Sequence, residues 1–531
     1  MIVWKFAHIL VLVVSSFCLL SCQKRTHAVD FIFLNGAEPQ TIDPATLTGQ
    51  LEGRIAKALF EGLYNYSPDG KVVPGVADSH TVSEDGLNYT FTIRQGVSWS
   101  NGEPVTAHDF EASWRRVLEP LTASKYAEIL YFIDQAEAYN KGEINDFSLV
   151  GCKALDANTF QVRLHTPAAY FLELTAFSTY LPVHIQSVEK YGDAWIKPQH
   201  LICNGPFKMK NWFINDKIEL EKNEHYWNKN TVRFNRIDAL AVNSASTAIN
   251  MYLTGQVDLI LDKNLVPGML MADLRQRHDI HIYDYLATFF LRFNVTRPHL
   301  KDPRVRKALA LSVDKQEIVE RITRGGEKAA HTLCPPGIPG YPLPEGLNHD
   351  PVQARELFAE AGYPDGKGFP RTEILFNKSE LNEQIAVEVQ SMWKKQLGID
   401  VELRTQEWAN YLYSMDHLDY DIARSSWIGD YVDPNTFLDC FVTGRGNNRT
   451  GWSHKTYDSL LLEASLTTDV NKRAILFQQA EQILVKESVA VLPVYHYVGV
   501  VFYDKERLGG FEPNLLAEHP FQHMYWKDSS Q

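Results

Sequence analysis

The sequence predicts an α/β protein built from more than one domain. Three observations carry this. The chain has 531 residues, more than a single hydrophobic core accommodates. Its apolar share of 45% is that of an ordinary globular protein. From about residue 302 onward, helix-type and strand-type segments alternate, as in an α/β lobe.

The elements follow in order. Phe31 to Leu34 is an apolar run and a first strand, and Glu38 to Pro44 is a turn-rich loop. Leu51 to Leu63 has helical spacing through Ile55, Leu59 and Phe60 and ends near Gly62. Asp85 to Arg94 alternates polar and apolar residues, a strand. Gly96 and Ser100-Asn101-Gly102 are turns, after which Thr106 and Asp109 form a capping box that opens a helix. Glu219–Lys222 and Arg236–Val242 are strands, and Ser246–Leu253 is a helix. Leu286–Val295 is an aromatic strand. Asp302-Pro303, Asp314 and Asp350-Pro351 each start a helix. Glu383–Leu397 is amphipathic through Ile385, Val389, Met392 and Trp393, with Gly398 as its stop and Ile399–Leu403 as the next strand. Tyr420–Trp427 is the end of a strand; Pro434 stops pairing and Asp433 caps a short helix carrying Phe437. Taken alone, Asp430 in this stretch is an ordinary solvated loop acid.

The formal charge of −13 argues against nucleic acid as a partner, because phosphate recognition needs clustered Lys and Arg. The N-terminus indicates location. Lys5 and His8 precede an apolar run from Ile9 to Leu20, too short to span a bilayer and suited to a signal peptide. Leu19-Leu20-Ser21-Cys22 resembles a bacterial lipobox, which implies cleavage after residue 21, lipidation of Cys22 and a tether over residues 22–30. Beyond the signal, Cys152, Cys203, Cys334 and Cys440 are widely spaced, with no CxxC pair for zinc. Disulfides are permitted outside the cytoplasm, and sequence alone does not pair these four. There is no Gly-x-Ser-x-Gly, His-Glu-x-x-His or P-loop, and no close metal-ligand spacing of histidines, so no enzyme, cofactor or metal is indicated.

The stretch DGLNYTFTIRQGVSWSNGEPVTAHDF at 85–110 closely resembles the signature of family 5 extracellular solute-binding proteins, the peptide-binding receptors of ABC importers. TIDPATLTG, LFEGLYNYSPDGKVVPGVADS, NGPFKMKNW, EKNEHYWN and DPRVRKALALSVDKQEIV agree with it, and the similarity is closest to the oligopeptide-binding branch.

This resemblance implies a two-lobed, hinged periplasmic-binding-protein fold of class II, cluster C type, with an extra inserted domain. Lobe I would combine residues 31–60, 185–286 and 499–531. The insertion would span 61–184 and the other lobe 287–498, with crossings near Tyr285–Thr288 and Tyr497–Val500. It implies a monomer that captures oligopeptides and delivers them to ABC permease and ATPase subunits, touching the membrane only through its lipid. In that branch an aspartate holds the peptide's α-ammonium, and the motif places Asp430 there. Trp427, Ile428 and Gly429 fall on the ligand-pairing strand, and Gly429 suits close backbone approach. Trp408, Tyr126 and Tyr497 match residues lining the cleft. Arg424 matches a basic residue that meets the carboxylate end of shorter peptides. Met415, Asn382 and Thr323 replace the arginine, histidine and lysine of the enteric receptors, so the permitted lengths should differ. Related receptors carry dipeptides, murein peptides, nickel chelates or haem, and these ligands stay open. A surface adhesin is a third class, supported only by the anchor.

Overall fold

Two long strands, Ile280–Phe293 and Val491–Phe502, run antiparallel through the middle of the molecule. Both are rich in β-branched and aromatic residues, which fit a pleated, buried surface. They lie at the centre of one eleven-stranded sheet. On one side the sheet continues through Leu259–Ile260, Phe31–Gly36, Arg236–Ala241, Lys217–Lys222 and Phe207–Phe213; on the other it continues through Ile422–Ile428, Thr372–Asn377 and Val401–Gln406. This computed structural model describes residues 29–262, 265–266, 270–445 and 447–527. The signal sequence, Cys22 and most of the tether lie outside the described residues.

The fold is α/β and two-lobed, and the two long strands pass from one lobe's core to the other's. Val498, Val500 and Phe502 pack with Leu34, Ala248 and Ile260. Leu492, Val494 and Tyr495 pack instead with Phe289, Phe293, Phe376 and Trp393. Between these cores the register slips: Asp284 faces Val498 and Thr288 faces His496, so residues 285–287 stand opposite Tyr497 alone. Such a bulge bends and twists a strand pair locally.

A separate four-stranded antiparallel sheet is ordered Ala77–Val82, Asn88–Ile93, Thr159–Arg163, Cys152–Ala154. The helix Ala107–Leu118 packs on it and opens with the Thr106–Asp109 capping box, the Thr106 amide donating to Asp109 Oδ2 at 2.7 Å. Two buried carboxylates stitch the parts together. Asp43 accepts from Arg116 at 2.8 Å and from the Trp195 indole at 3.4 Å. Glu61 accepts from Tyr226 at 2.6 Å and Trp227 at 2.5 Å.

Several boundaries differ from expectation. The strand predicted from Leu286 begins at Ile280, because polar His281 and Asp284 find ladder partners in the opposite long strand. The helix expected to reach Leu63 ends at Leu59, whose carbonyl accepts the Gly205 amide at 2.8 Å. Pro434, not Asp433, is the N-cap of the helix Asn435–Leu438, although Asp433 accepts the Asn435 amide at 2.9 Å. Cys152, Cys203, Cys334 and Cys440 are all free and buried.

Candidate ligand-binding site

The strand Ile422–Ile428 pairs along its whole length with the long strand Ile280–Phe293, from Ile422↔Phe293 to Ile428↔Ala287. Backbone groups alternate sides along a strand. The Gly429 amide, one residue on, donates to the Leu286 carbonyl at 2.7 Å, so Ser425, Trp427 and Gly429 face the long strand. The other edge is turned outward at Arg424, Ser426 and Ile428. There the parallel neighbour Thr372–Asn377 pairs only with Ile422 and Ala423. The Arg424 carbonyl accepts from the Tyr411 hydroxyl. Ser426 and Ile428 therefore present backbone donors and acceptors to an edge that no strand occupies among the described residues.

Asp430 stands at the end of this edge, partly screened from solvent. Its own amide donates to Thr436 Oγ1 at 3.1 Å. Its carboxylate forms no ion pair or hydrogen bond among the described residues. Burial, and secondarily the negative charge of Glu128, push it up to about 7. Tyr126 and Glu128 lie close enough to interact with its charge. Tyr126 packs on Phe177 at 5.8 Å between ring centres, and burial followed by the charges of Asp430 and Glu128 raises its hydroxyl to about 12. The Lys57 ammonium pairs with Glu518 and lies 4.9 Å from the Tyr66 ring centre and 5.9 Å from that of Phe177.

The remaining predicted residues divide. Trp408, at the start of the helix Trp408–Asp416, is 55% exposed and stacks on Tyr411 at 5.5 Å. Its indole is therefore available to a ligand and is not core packing. Ile428 is half exposed. Trp427 is partly buried, and its indole N–H has no partner among the described residues. Gly429 is buried, and a Cβ there would meet Leu286 Cδ2 at 2.5 Å and Thr436 at 2.9 Å. The close approach at Gly429 is thus made by this chain's own side chains. Tyr497 sits opposite the register slip with its ring against Tyr495 at 5.0 Å.

Arg424 lies along the strand from Asp430. One guanidinium nitrogen reaches Asn377 Oδ1 at 3.2 Å and another the Tyr497 hydroxyl at 3.5 Å, while its buried Nε has no partner among the described residues. It also lies 5.0 Å above the Phe289 ring. No carboxylate pairs with it among the described residues. Asn382 is buried and donates to Asn377 at 3.1 Å, and Met415 is buried among Leu375, Tyr411 and Tyr420. Arg321 pairs with Glu317, and the Arg324 side chain turns back to the Arg321 carbonyl at 2.7 Å.

Four neighbours of this region escape sequence reasoning. Glu128, Glu173, Lys57 and Arg292 come from segments far from the Asp430 motif, and no local pattern marks them. Arg292 is 2% exposed and binds Ser425 Oγ at 2.9 Å behind the site strand. No group of three His, Cys, Asp or Glu side chains able to hold a metal occurs among the described residues.

The two-lobed α/β fold is that of a solute-binding protein. The chain belongs to the bacterial extracellular solute-binding proteins, family 5, whose middle-region model matches residues 71–449. It is 36% identical over 503 residues to the oligopeptide-binding protein OppA of Bacillus subtilis, covering 92% of this chain and 91% of that one. Among solved structures, a periplasmic oligopeptide-binding protein of Borrelia burgdorferi superposes with a TM-score of 0.80 at 32% identity, covering 94% of this chain and all of that one. The Escherichia coli murein tripeptide binding protein MppA superposes at 0.79, also at 32% identity, with 94% and 100% coverage.

Proposed function

We propose that the protein captures oligopeptides in the cleft between its lobes and delivers them to the permease of an ABC importer. The observation that carries this reading is the Asp430 carboxylate, unpaired and raised to about 7 at the end of an open strand edge. A peptide satisfies both features at once. Its backbone adds as a strand along Ser426 and Ile428, and its α-ammonium meets Asp430. A charge-assisted hydrogen bond of this kind contributes about 1.5–3 kcal/mol. Trp427, Ile428, Trp408, Tyr126 and Tyr497 line the side-chain space, and Arg424 receives the carboxylate end. The register slip at residues 285–287 lets the lobes close over the ligand. The chain does no chemistry, and transport energy comes from the partner ATPase. Cys22, once lipidated, holds the receptor at the periplasmic face of a membrane; no helix among the described residues is long and apolar enough to cross one.

Calorimetry on protein lacking residues 1–22 tests this. Trialanine should bind, N-acetyl-trialanine should bind about tenfold more weakly or worse, and Asp430→Ala should erase the difference. Equal affinity for both peptides in the unaltered protein overturns the ammonium clamp.

A second reading keeps the receptor role but shortens the ligand to a dipeptide or a murein tripeptide. The burial of uncharged Met415 and Asn382 near Arg424 favours it, since neither supplies a positive charge for a longer carboxylate end. Mass spectrometry of the ligand that co-purifies distinguishes the two.

A further inference from the structure

Four backbone amides hold the turn that carries Asp430. Gly429 donates to the Leu286 carbonyl at 2.7 Å and Asp430 to Thr436 Oγ1 at 3.1 Å. Val432 donates to Glu173 Oε2 at 2.6 Å and Asp433 to the Tyr431 carbonyl at 2.9 Å. Of these four acceptors only Glu173 lies on the insertion, 259 residues away in sequence. It belongs to the short helix Phe171–Leu174, and its own backbone carbonyl accepts the Tyr66 hydroxyl at 3.4 Å. Glu173 is therefore tied on one side to the wall beside Lys57 and on the other to the turn two residues past Asp430. No cation lies within ion-pairing distance of its carboxylate among the described residues; burial raises it to about 7, against the pull of the Val432 amide and of the more distant Arg473 charge. A carboxylate kept in such a place without a directly paired counter-ion incurs a desolvation cost. What it gains here is the Val432 amide.

The same junction has other contacts. Tyr170 stacks on Tyr431 with ring centres 4.2 Å apart and planes 11° apart, and Asn435 donates to the Tyr170 hydroxyl at 3.0 Å. Removing the Glu173 carboxylate therefore leaves the insertion docked while freeing one backbone amide of the turn.

We propose that Glu173 is a positioning residue for ammonium capture: by accepting the Val432 amide it fixes the turn so that the Asp430 carboxylate is aimed at the ligand's α-ammonium. The clamp is then a joint product of the second lobe, which supplies the charge, and the insertion, which sets its direction. This rests on the reading of Asp430 given above.

The test is the ratio of affinities for trialanine and N-acetyl-trialanine, measured by calorimetry on the otherwise full chain lacking residues 1–22. Glu173→Gln retains a neutral acceptor for the Val432 amide, whereas Glu173→Ala removes it. The expected result is that Glu173→Ala lowers the ratio at least threefold toward the floor set by Asp430→Ala, and that Glu173→Gln stays within twofold of the unaltered protein. Thermal melts of both variants should coincide to within a few degrees. An unchanged ratio in Glu173→Ala overturns the proposal, as does a proportional loss of affinity for both peptides, which marks a merely structural role. A loss of the ratio in Glu173→Gln equal to that in Glu173→Ala also overturns it, because charge and not the hydrogen bond would then be at work. If the unaltered protein shows no discrimination between the two peptides, the reading of Asp430 itself fails and this proposal falls with it.

Discussion

Arg473 grips Asp433 with two guanidinium nitrogens, the Nη2–Oδ1 arm at 2.9 Å, three residues past Asp430. Both side chains are largely withdrawn from water, at 13% and 11% exposure. Removing one partner of a buried pair strands the other charge, which costs about 3–5 kcal/mol. Arg473→Ala should therefore lower the urea midpoint substantially. The paired change Arg473→Met with Asp433→Asn should recover most of the loss, because no lone charge remains. A midpoint in Arg473→Ala equal to that of the unaltered protein would show that the pair is idle.

Asp430 sets a pH dependence whose sign is fixed. Its carboxyl is raised to about 7 from an ordinary value of 3.8. Only the ionised form pairs with an ammonium, so trialanine affinity should be highest between pH ~7 and ~8, above which the peptide's own α-ammonium loses its proton. Below pH ~7 it should fall by up to about tenfold per pH unit, until the bound carboxyl itself takes up a proton. Stability runs the opposite way: the unfolded chain ionises Asp430 first, so the folded state loses stability as pH rises from ~4 to ~7. Asp430→Asn should thus melt higher than the unaltered protein at pH ~8, melt alike at pH ~4, and bind trialanine more weakly at pH ~8. Melting curves and calorimetry at these two pH values check all three statements.

Trp408 should separate binding from folding. Its indole is mostly exposed and rests on Tyr411, so Trp408→Ala should change stability by no more than about 0.5 kcal/mol. Affinity for tripeptides bearing a bulky aromatic side chain should fall, while trialanine, which has nothing to stack, should bind as before. Equal losses for both would place Trp408 in backbone positioning instead of side-chain accommodation.

The four thiols give a simple chemical test. Burial raises all of them, Cys203 to about 12, and the thiolate is the reactive form. A colorimetric thiol reagent should find almost no reaction with the native protein lacking residues 1–22. It should find all four after denaturation, without prior reduction. A full count appearing only after reductant would mean that disulfides are present.

Local chemistry made much of the fold legible. Asp302-Pro303, Asp350-Pro351, the Thr106–Asp109 box and Gly398 each announced a helix end that the structure contains. The strand Val491–Phe502 escaped notice because it is apolar almost throughout, and a buried central strand lacks the alternation that marks a half-exposed one. Asp430 could be singled out only through its motif, since its uncompensated charge is a property of burial. Glu173 and Glu128 could not be found at all, because what they do depends on a turn and a carboxylate some 260 to 300 residues further along the chain.

The open edge at Ser426 and Ile428 has a practical consequence. Backbone donors and acceptors are the same in every polypeptide, so an edge of this kind cannot tell nutrient from debris. A receptor made in a living cell meets its own breakdown products, signal remnants and the digest of its neighbours before any intended cargo. Freshly isolated protein should accordingly arrive already occupied by a mixture of cellular peptides. Affinities measured on it will report displacement until the mixture is stripped by unfolding and refolding.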